Sequence, residues 1–157
     1  MLAGIDPSSK RVAIVGSEPD GSNAWHEVVP LAARKADTYE PRYTAMAVAQ
    51  VERIVRARQV DSVHVEVPLL GRGGVRTAVT LGFIAGAVQA GAVRAGADVH
   101  LVNVQTWKRT LGHGGASKHE VGTMLATLWP EMHAEVEHDQ DLVDAAAICY
   151  HARVSTP

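Results

Sequence analysis

Four carboxylates stand far apart in this chain yet at places where folding can gather them: Asp6, Glu66, Asp141 and Asp144. Asp6 closes a short apolar run, Leu2-Ala3-Gly4-Ile5, ahead of Pro7-Ser8. Glu66 closes another, Val63-His64-Val65. Asp141 and Asp144 open an Ala-rich segment, and their spacing puts them on one helix face with Ala145 and Ile148. Acids that converge repel one another, and divalent cations held by oxygen donors relieve that repulsion. Each residue also has a plainer reading. Asp6 suits a turn, and Glu66 suits an exposed strand end. An acid in a first helical turn is favoured by the helix dipole, which accounts for one of the two aspartates more readily than for both. His138 and Asp139 lie close enough to take their place.

Basic residues form a second group. Lys108, Arg109 and Lys118 flank Gly112-His113-Gly114-Gly115, with His113 and His119 nearby. Placed around a helix N-terminus they would contact phosphates; otherwise they form a solvated charged face. The glycine-rich stretch is not a nucleotide-binding P-loop, because Ala116-Ser117 separate its last glycine from Lys118. The single cysteine, Cys149, excludes an intrachain disulfide and a Cys-rich zinc site. The eight histidines show no metal-ligand spacing with it.

The elements that must position these groups are legible from periodicity. Leu2 to Ile5 and Arg11 to Val15 read as a hairpin across Pro7-Ser8-Ser9, and Ala24 to Val29 as a third strand after the turn at Glu18 to Asn23. Residues 30–37 read as a loop. Ala47, Val48, Val51, Ile54 and Val55 then form a helical stripe. Val63 to Val67 is a buried strand and Pro68 to Gly74 a loop containing Arg72. A long helix from Val75 to Ala95 carries Arg76 and a small-residue ridge at Ala78, Gly82, Gly86 and Ala90, which permits close backbone approach. Val99 to Val104 reads as a strand and Trp107 to Leu111 as a helix. Ser117 and Glu120 form a capping box for a helix running to about Trp129, which Pro130 stops. His133 to His138 reads as a polar linker, and the last helix opens at Asp139 or Gln140. Three consecutive strands imply an antiparallel meander, and the later strand–helix alternation adds parallel strands on its other side.

Bulk properties set the bounds. The 157 residues suit one compact domain, 1–157. The composition, 46% apolar and 20% charged, is that of a soluble globular chain. Aromatic residues are only 4%, so the core must rest on Val, Ala, Leu and Ile. The net charge of −2 gives no basic excess, which counts weakly against nucleic-acid binding, although clustered acids can mask a basic face elsewhere. The stretch Val75 to Val93 contains Arg76, Thr77, Thr80 and Gln89 and reads as a buried helix. With no signal-peptide pattern at its start, the chain is expected to be cytoplasmic.

Together these motifs resemble the RuvC-type Holliday-junction resolvases of the ribonuclease-H-like superfamily, from Gly4 to about Ala152. Gly4-Ile5-Asp6-Pro7-Ser8-Ser9 is similar to the family's opening strand motif, with Ser8 where members usually have Gly. Val65-Glu66 matches its strand-end glutamate. Gln105 to Gly114, followed by Ser117-Lys118, resembles its lysine-bearing segment. Asp141-Leu142-Val143-Asp144-Ala145 matches its Asp-x-x-Asp-Ala helix. Where many members carry an aromatic after the glutamate, this chain has Leu69 and Leu70.

The resemblance implies an α/β fold with a mixed five-stranded sheet, three antiparallel strands first and helices on both faces. It implies a homodimer that cleaves four-way DNA junctions with two Mg²⁺ or Mn²⁺ ions per site. Asp6, Glu66, Asp141 and Asp144 would be the metal ligands, with Asp6 bridging. Lys108 and Lys118 would hold phosphates near the cleavage point, with Lys118 counted in the catalytic set. Arg109 belongs to the same nucleic-acid surface, and Arg72 and Arg76 would grip DNA beside the junction centre. The small-residue helix is the candidate dimer contact, with packing inside the chain as its alternative. The missing basic excess implies salt-sensitive binding. A relaxed flap or fork nuclease, an RNA-processing relative and a non-catalytic junction binder are the competing readings.

Overall fold

Strands β1 (Leu2–Pro7), β2 (Arg11–Ser17) and β3 (Trp25–Pro30) form an antiparallel meander. Strands β4 (Ser62–Glu66) and β5 (Asp98–Val102) add in parallel on the other side of β1, giving the order β3-β2-β1-β4-β5. The computed structural model describes residues 1–31, 41–67 and 74–155, the side chains of Pro41, Arg42 and Arg76 excepted. The expected loop containing Leu69, Leu70 and Arg72 therefore lies outside the described residues, as does most of the loop expected over 30–37.

The central strands are apolar almost throughout because helices cover both faces of the sheet. Side chains alternate along each strand, so two cores form. On one face Ala3, Ile5, Val12, Ile14, Val63 and Val65 pack under α1 (Pro41–Ala57) and α2 (Gly74–Ala95). On the other, Ala13, Val15 and Val102 pack under α3 (Val104–Leu111), α4 (Lys118–Leu128), α5 (Pro130–Val136) and α6 (Gln140–Ser155). The mixed sheet with helices on both faces is the architecture expected from the sequence.

His64 is a polar exception inside the second face. It stacks on His100 with ring centroids 4.7 Å apart. Burial, and then its two histidine neighbours, push its pKa down to about 4 and keep the ring neutral.

Several details differ from the sequence reading: α2, expected as a buried helix, is buried along one side only, with Val75, Val79 and Val93 exposed. The stretch His133 to His138 is not a polar linker: α5 runs through most of it, and Met132 and Val136 are buried. Pro130 ends α4 but also begins α5, since a proline costs nothing at a first helical position where its missing N–H has no partner. Strand β5 stops at Val102, because Asn103 caps α3 by accepting a bond from the Thr106 amide. Along α2, the close approach falls at Gly91, where an added Cβ would lie 2.6 Å from the Val48 carbonyl oxygen of α1. Gly82 and Gly86 of the expected ridge face open space.

Candidate metal and nucleic-acid site

Register and parity bring Asp6 and Glu66 together. β1 and β4 are parallel with Ile5 opposite Val65, so the next residue of each strand, Asp6 and Glu66, sits side by side near the carboxyl ends of these two central strands. Ile5 and Val65 point into the α1/α2 core; alternation turns Asp6 and Glu66 to the opposite face, toward α6.

The absence of a side chain at Gly4 lets α6 come down onto that face. A Cβ there would lie 2.8 Å from the Cys149 Cα and closer still to the Cys149 amide nitrogen and the Ala145 carbonyl oxygen. Ala145, Ala146 and Ala147 are fully buried, so this turn of α6 carries nothing to hold it off the strands. Asp144 and Asp141 project from the turns just before that contact. The four acids are close enough to sense one another: burial, then Glu66, Asp144 and Asp141 in that order, push the Asp6 pKa up to about 8. Glu66 and Asp144 are also raised, mainly by burial.

Neighbouring groups hold the acids in place. Trp107, almost wholly buried on α3, donates its Nε1–H to Glu66 Oε2 at 2.8 Å. Gln140 donates from Nε2 to Asp144 Oδ1 at 3.0 Å. Arg11 donates from Nε to Asp141 Oδ2 at 2.7 Å, and its two terminal nitrogens each bond Asp139 at 2.7 Å. Asp139, considered as a substitute ligand, instead caps α6, accepting at Oδ1 from the amides of Asp141 (3.1 Å) and Leu142 (3.4 Å). His138 is exposed.

The basic residues divide. Lys118, the first residue of α4, lowers the pKa of Asp6, Glu66 and Asp144. It stands there because Ser117 and Glu120 form the expected capping box, with the Ser117 amide donating to Glu120 Oε2 at 2.7 Å. Lys108 acts on Glu66 and Asp144, but its Nζ donates to the Ala116 carbonyl at 2.5 Å, so it also pins the loop ahead of α4. Arg109 is exposed and lies along that loop beside Gly114. Arg72 is outside the described residues. Arg76 falls in the first turn of α2, its side chain undescribed. A groove of about 430 Å³ opens between α4, α5 and α6, lined in part by Lys118, His119, His133, Glu137 and Gln140; none of the four acids lines it.

Sequence reasoning gave no role to Arg11, Trp107 or Gln140 in holding the acids. For Arg11 a signal existed: in a hairpin pairing Asp6 with Ala13, residue 11 lies on the same sheet face as Asp6, one step beyond it.

This donor set suits a hard divalent cation: all oxygen, rich in negative charge, and electrostatically costly as it stands. Among the described residues no three His, Cys, Asp or Glu side chains close around a single point. Arg11 and Gln140 each hold one carboxylate in its present orientation.

The family model described as Crossover junction endodeoxyribonuclease RuvC matches residues 2–151. The Thermus thermophilus RuvC structure superposes with a TM-score of 0.76 at 27% identity, covering 99% of this chain and 96% of that one. T. thermophilus RuvC in complex with Holliday junction substrate superposes equally well, at 25% identity and with the same coverage. The yeast mitochondrial Holliday junction resolvase Ydc2, at 13% identity and TM-score 0.64 over 98% of this chain and 80% of that one, shares the fold. No curated protein sequence matches the chain.

Proposed function

The chain belongs to the RuvC family of crossover junction endodeoxyribonucleases, and from that premise we propose that it resolves four-way DNA junctions by metal-dependent paired nicking in recombination and repair. The observation that carries the reading is the placement of Asp6 and Glu66 side by side on neighbouring parallel strands, with Asp141 and Asp144 on the helix that is seated against them at Gly4. T. thermophilus RuvC, similar along nearly its whole length, is known bound to a Holliday junction.

Asp6, Glu66, Asp141 and Asp144 would hold two Mg²⁺ or Mn²⁺ ions, which when bound supply activation of water and stabilise charge at the departing 3′ oxygen. The chain's own residues do the rest. Trp107 fixes Glu66 and Gln140 fixes Asp144, so the carboxylates are oriented before substrate arrives. Lys118, whose charge acts on three of the acids, would hold the scissile phosphate and offset charge in the transition state. Lys108, tied to the Ala116 carbonyl, keeps the α4 N-terminus in position and adds positive charge near Glu66. Arg109 would extend the phosphate-binding surface, and Arg72 and Arg76 would grip DNA beside the junction centre.

A four-way junction has near two-fold symmetry, and matched nicks call for two sites. A homodimer supplies them, and the exposed apolar side of α2 is the proposed contact.

The test compares nicking of four-way junctions, flaps, linear duplex and structured RNA in Mg²⁺ and in Mn²⁺. Symmetric paired nicks in the junction, with the other substrates cut at least about tenfold more slowly, are expected; a tenfold rate ratio corresponds to about 1.4 kcal/mol of discrimination. Equal rates on flaps would replace the resolvase reading with that of a relaxed nuclease. Asp6→Asn should abolish cleavage and leave junction binding largely intact.

A further inference from the structure

We propose that Arg11 is a positioning residue that sets how tightly the carboxylate site takes a cation: its guanidinium competes with the ion for Asp141, and Asp139 is the carboxylate that anchors it. This rests on the preceding reading that the four acids hold divalent ions.

The four acids are not equivalent. Glu66 and Asp144 receive bonds from neutral donors, Trp107 and Gln140. Among the described residues, Asp141 alone of the four has a basic partner within ion-pair distance, Arg11 at 2.7 Å. A guanidinium and a divalent ion are drawn to the same carboxylate and repel each other, so occupancy by one weakens the other. Arg11 therefore lowers the site's affinity while holding Asp141 in a defined orientation.

The second carboxylate makes this arrangement adjustable. Both terminal nitrogens of Arg11 form a fork on Asp139, Nη1 with Oδ2 and Nη2 with Oδ1, and only Nε turns to Asp141. Two-point pairing of this kind is the stronger and more directional half of the contact. The guanidinium can give up Asp141 and keep its main partner. Asp139 cannot drift, because it caps the same turn of α6 through the amides of Asp141 and Leu142. Anchor and contested ligand are thus fixed two residues apart on one helix end.

Two substitutions should act in opposite directions. Arg11→Gln removes the competing charge. Asp139→Asn keeps an oxygen for the helix cap but weakens the anchor, so Arg11 falls more completely on Asp141. Mn²⁺ binding to the full chain would be measured by calorimetry or by the electron paramagnetic resonance of free Mn²⁺, at fixed pH and salt. R11Q should bind about two- to fivefold more tightly than wild type and D139N more weakly by a similar factor, the range for a partly exposed ion pair. Melting with and without Mn²⁺ should show a larger metal-induced rise in Tm for R11Q and a smaller one for D139N. A purely structural Arg11 would lower both melting points equally and leave Mn²⁺ affinity unchanged; that result, or weaker binding by R11Q, overturns the proposal. D139N alone decides the matter if R11Q does not fold. Wild-type chain with no Mn²⁺ binding that Asp6→Asn removes would instead sink the metal-site reading and the inference with it.

Discussion

Asp6 carries the largest electrostatic burden of the site. Its carboxyl sits at about 8 against an ordinary value of 3.8, first through burial and then through the charges of Glu66, Asp144 and Asp141. The folded chain thus holds this proton more firmly than the unfolded chain does. The associated stability is fully present below pH 3.8 and is lost as pH rises toward about 8. Melting curves in EDTA should show the wild type falling in Tm over that window. Asp6→Asn, which cannot ionise, should fall less, so that the gap in its favour widens steadily toward pH 8. Parallel curves for the two proteins would remove Asp6 from the centre of the repulsion. Cations that bind the ionised form displace the proton, so Mn²⁺ affinity should climb through the same range.

At the scale of elements, the contact between β1 and α6 decides whether the acids meet. Gly4 is where the helix backbone crosses the strand, and its partners are main-chain atoms of Ala145 and Cys149 rather than a side chain that could swing aside. Gly4→Ala should force α6 outward, costing roughly 1–3 kcal/mol or more as an overpacked core substitution. It should also separate Asp141 and Asp144 from Asp6, so that Mn²⁺ binding weakens more than chemical denaturation alone would explain. Unchanged metal affinity in a folded G4A chain would show that α6 is not seated by this contact. The capping box at Ser117 has a similar office for Lys118, since it fixes where α4 begins.

Helix α2 has one buried and one exposed apolar side. Its buried side, with Ile84, Ala87, Val88 and Ala92, belongs to the core it shares with α1. Its other side exposes Val75 at 81% and Val79 at 41%, with Gly82 and Gly86 open beside them. These positions run along one stripe of the helix. In the proposed dimer a second copy of the chain would cover this stripe and set two sites against the two strands of a junction. Val79→Glu should therefore yield a monomer by light scattering and turn paired junction nicks into single ones, with little change in Mn²⁺ affinity. A Val79→Glu dimer of wild-type strength would move the contact elsewhere.

Strand and helix periodicity and the capping box are legible in the sequence because each depends on neighbours within a few residues, whereas the four acids stand out as a set through the family motifs they share. His133 to His138 reads locally as a linker, since Met132 and Val136 become core only once α4 and α6 lie beside them. Arg11 carries no local signal of its partners, because Asp139 and Asp141 stand nearly a chain length away. The order and kind of residues along the chain mark Asp6, Glu66, Asp141, Asp144 and the nearby lysines as its reactive groups. Only the tertiary structure decided which of them share charge, bonds and burial, because those depend on sheet register and on how close α6 can come to β1.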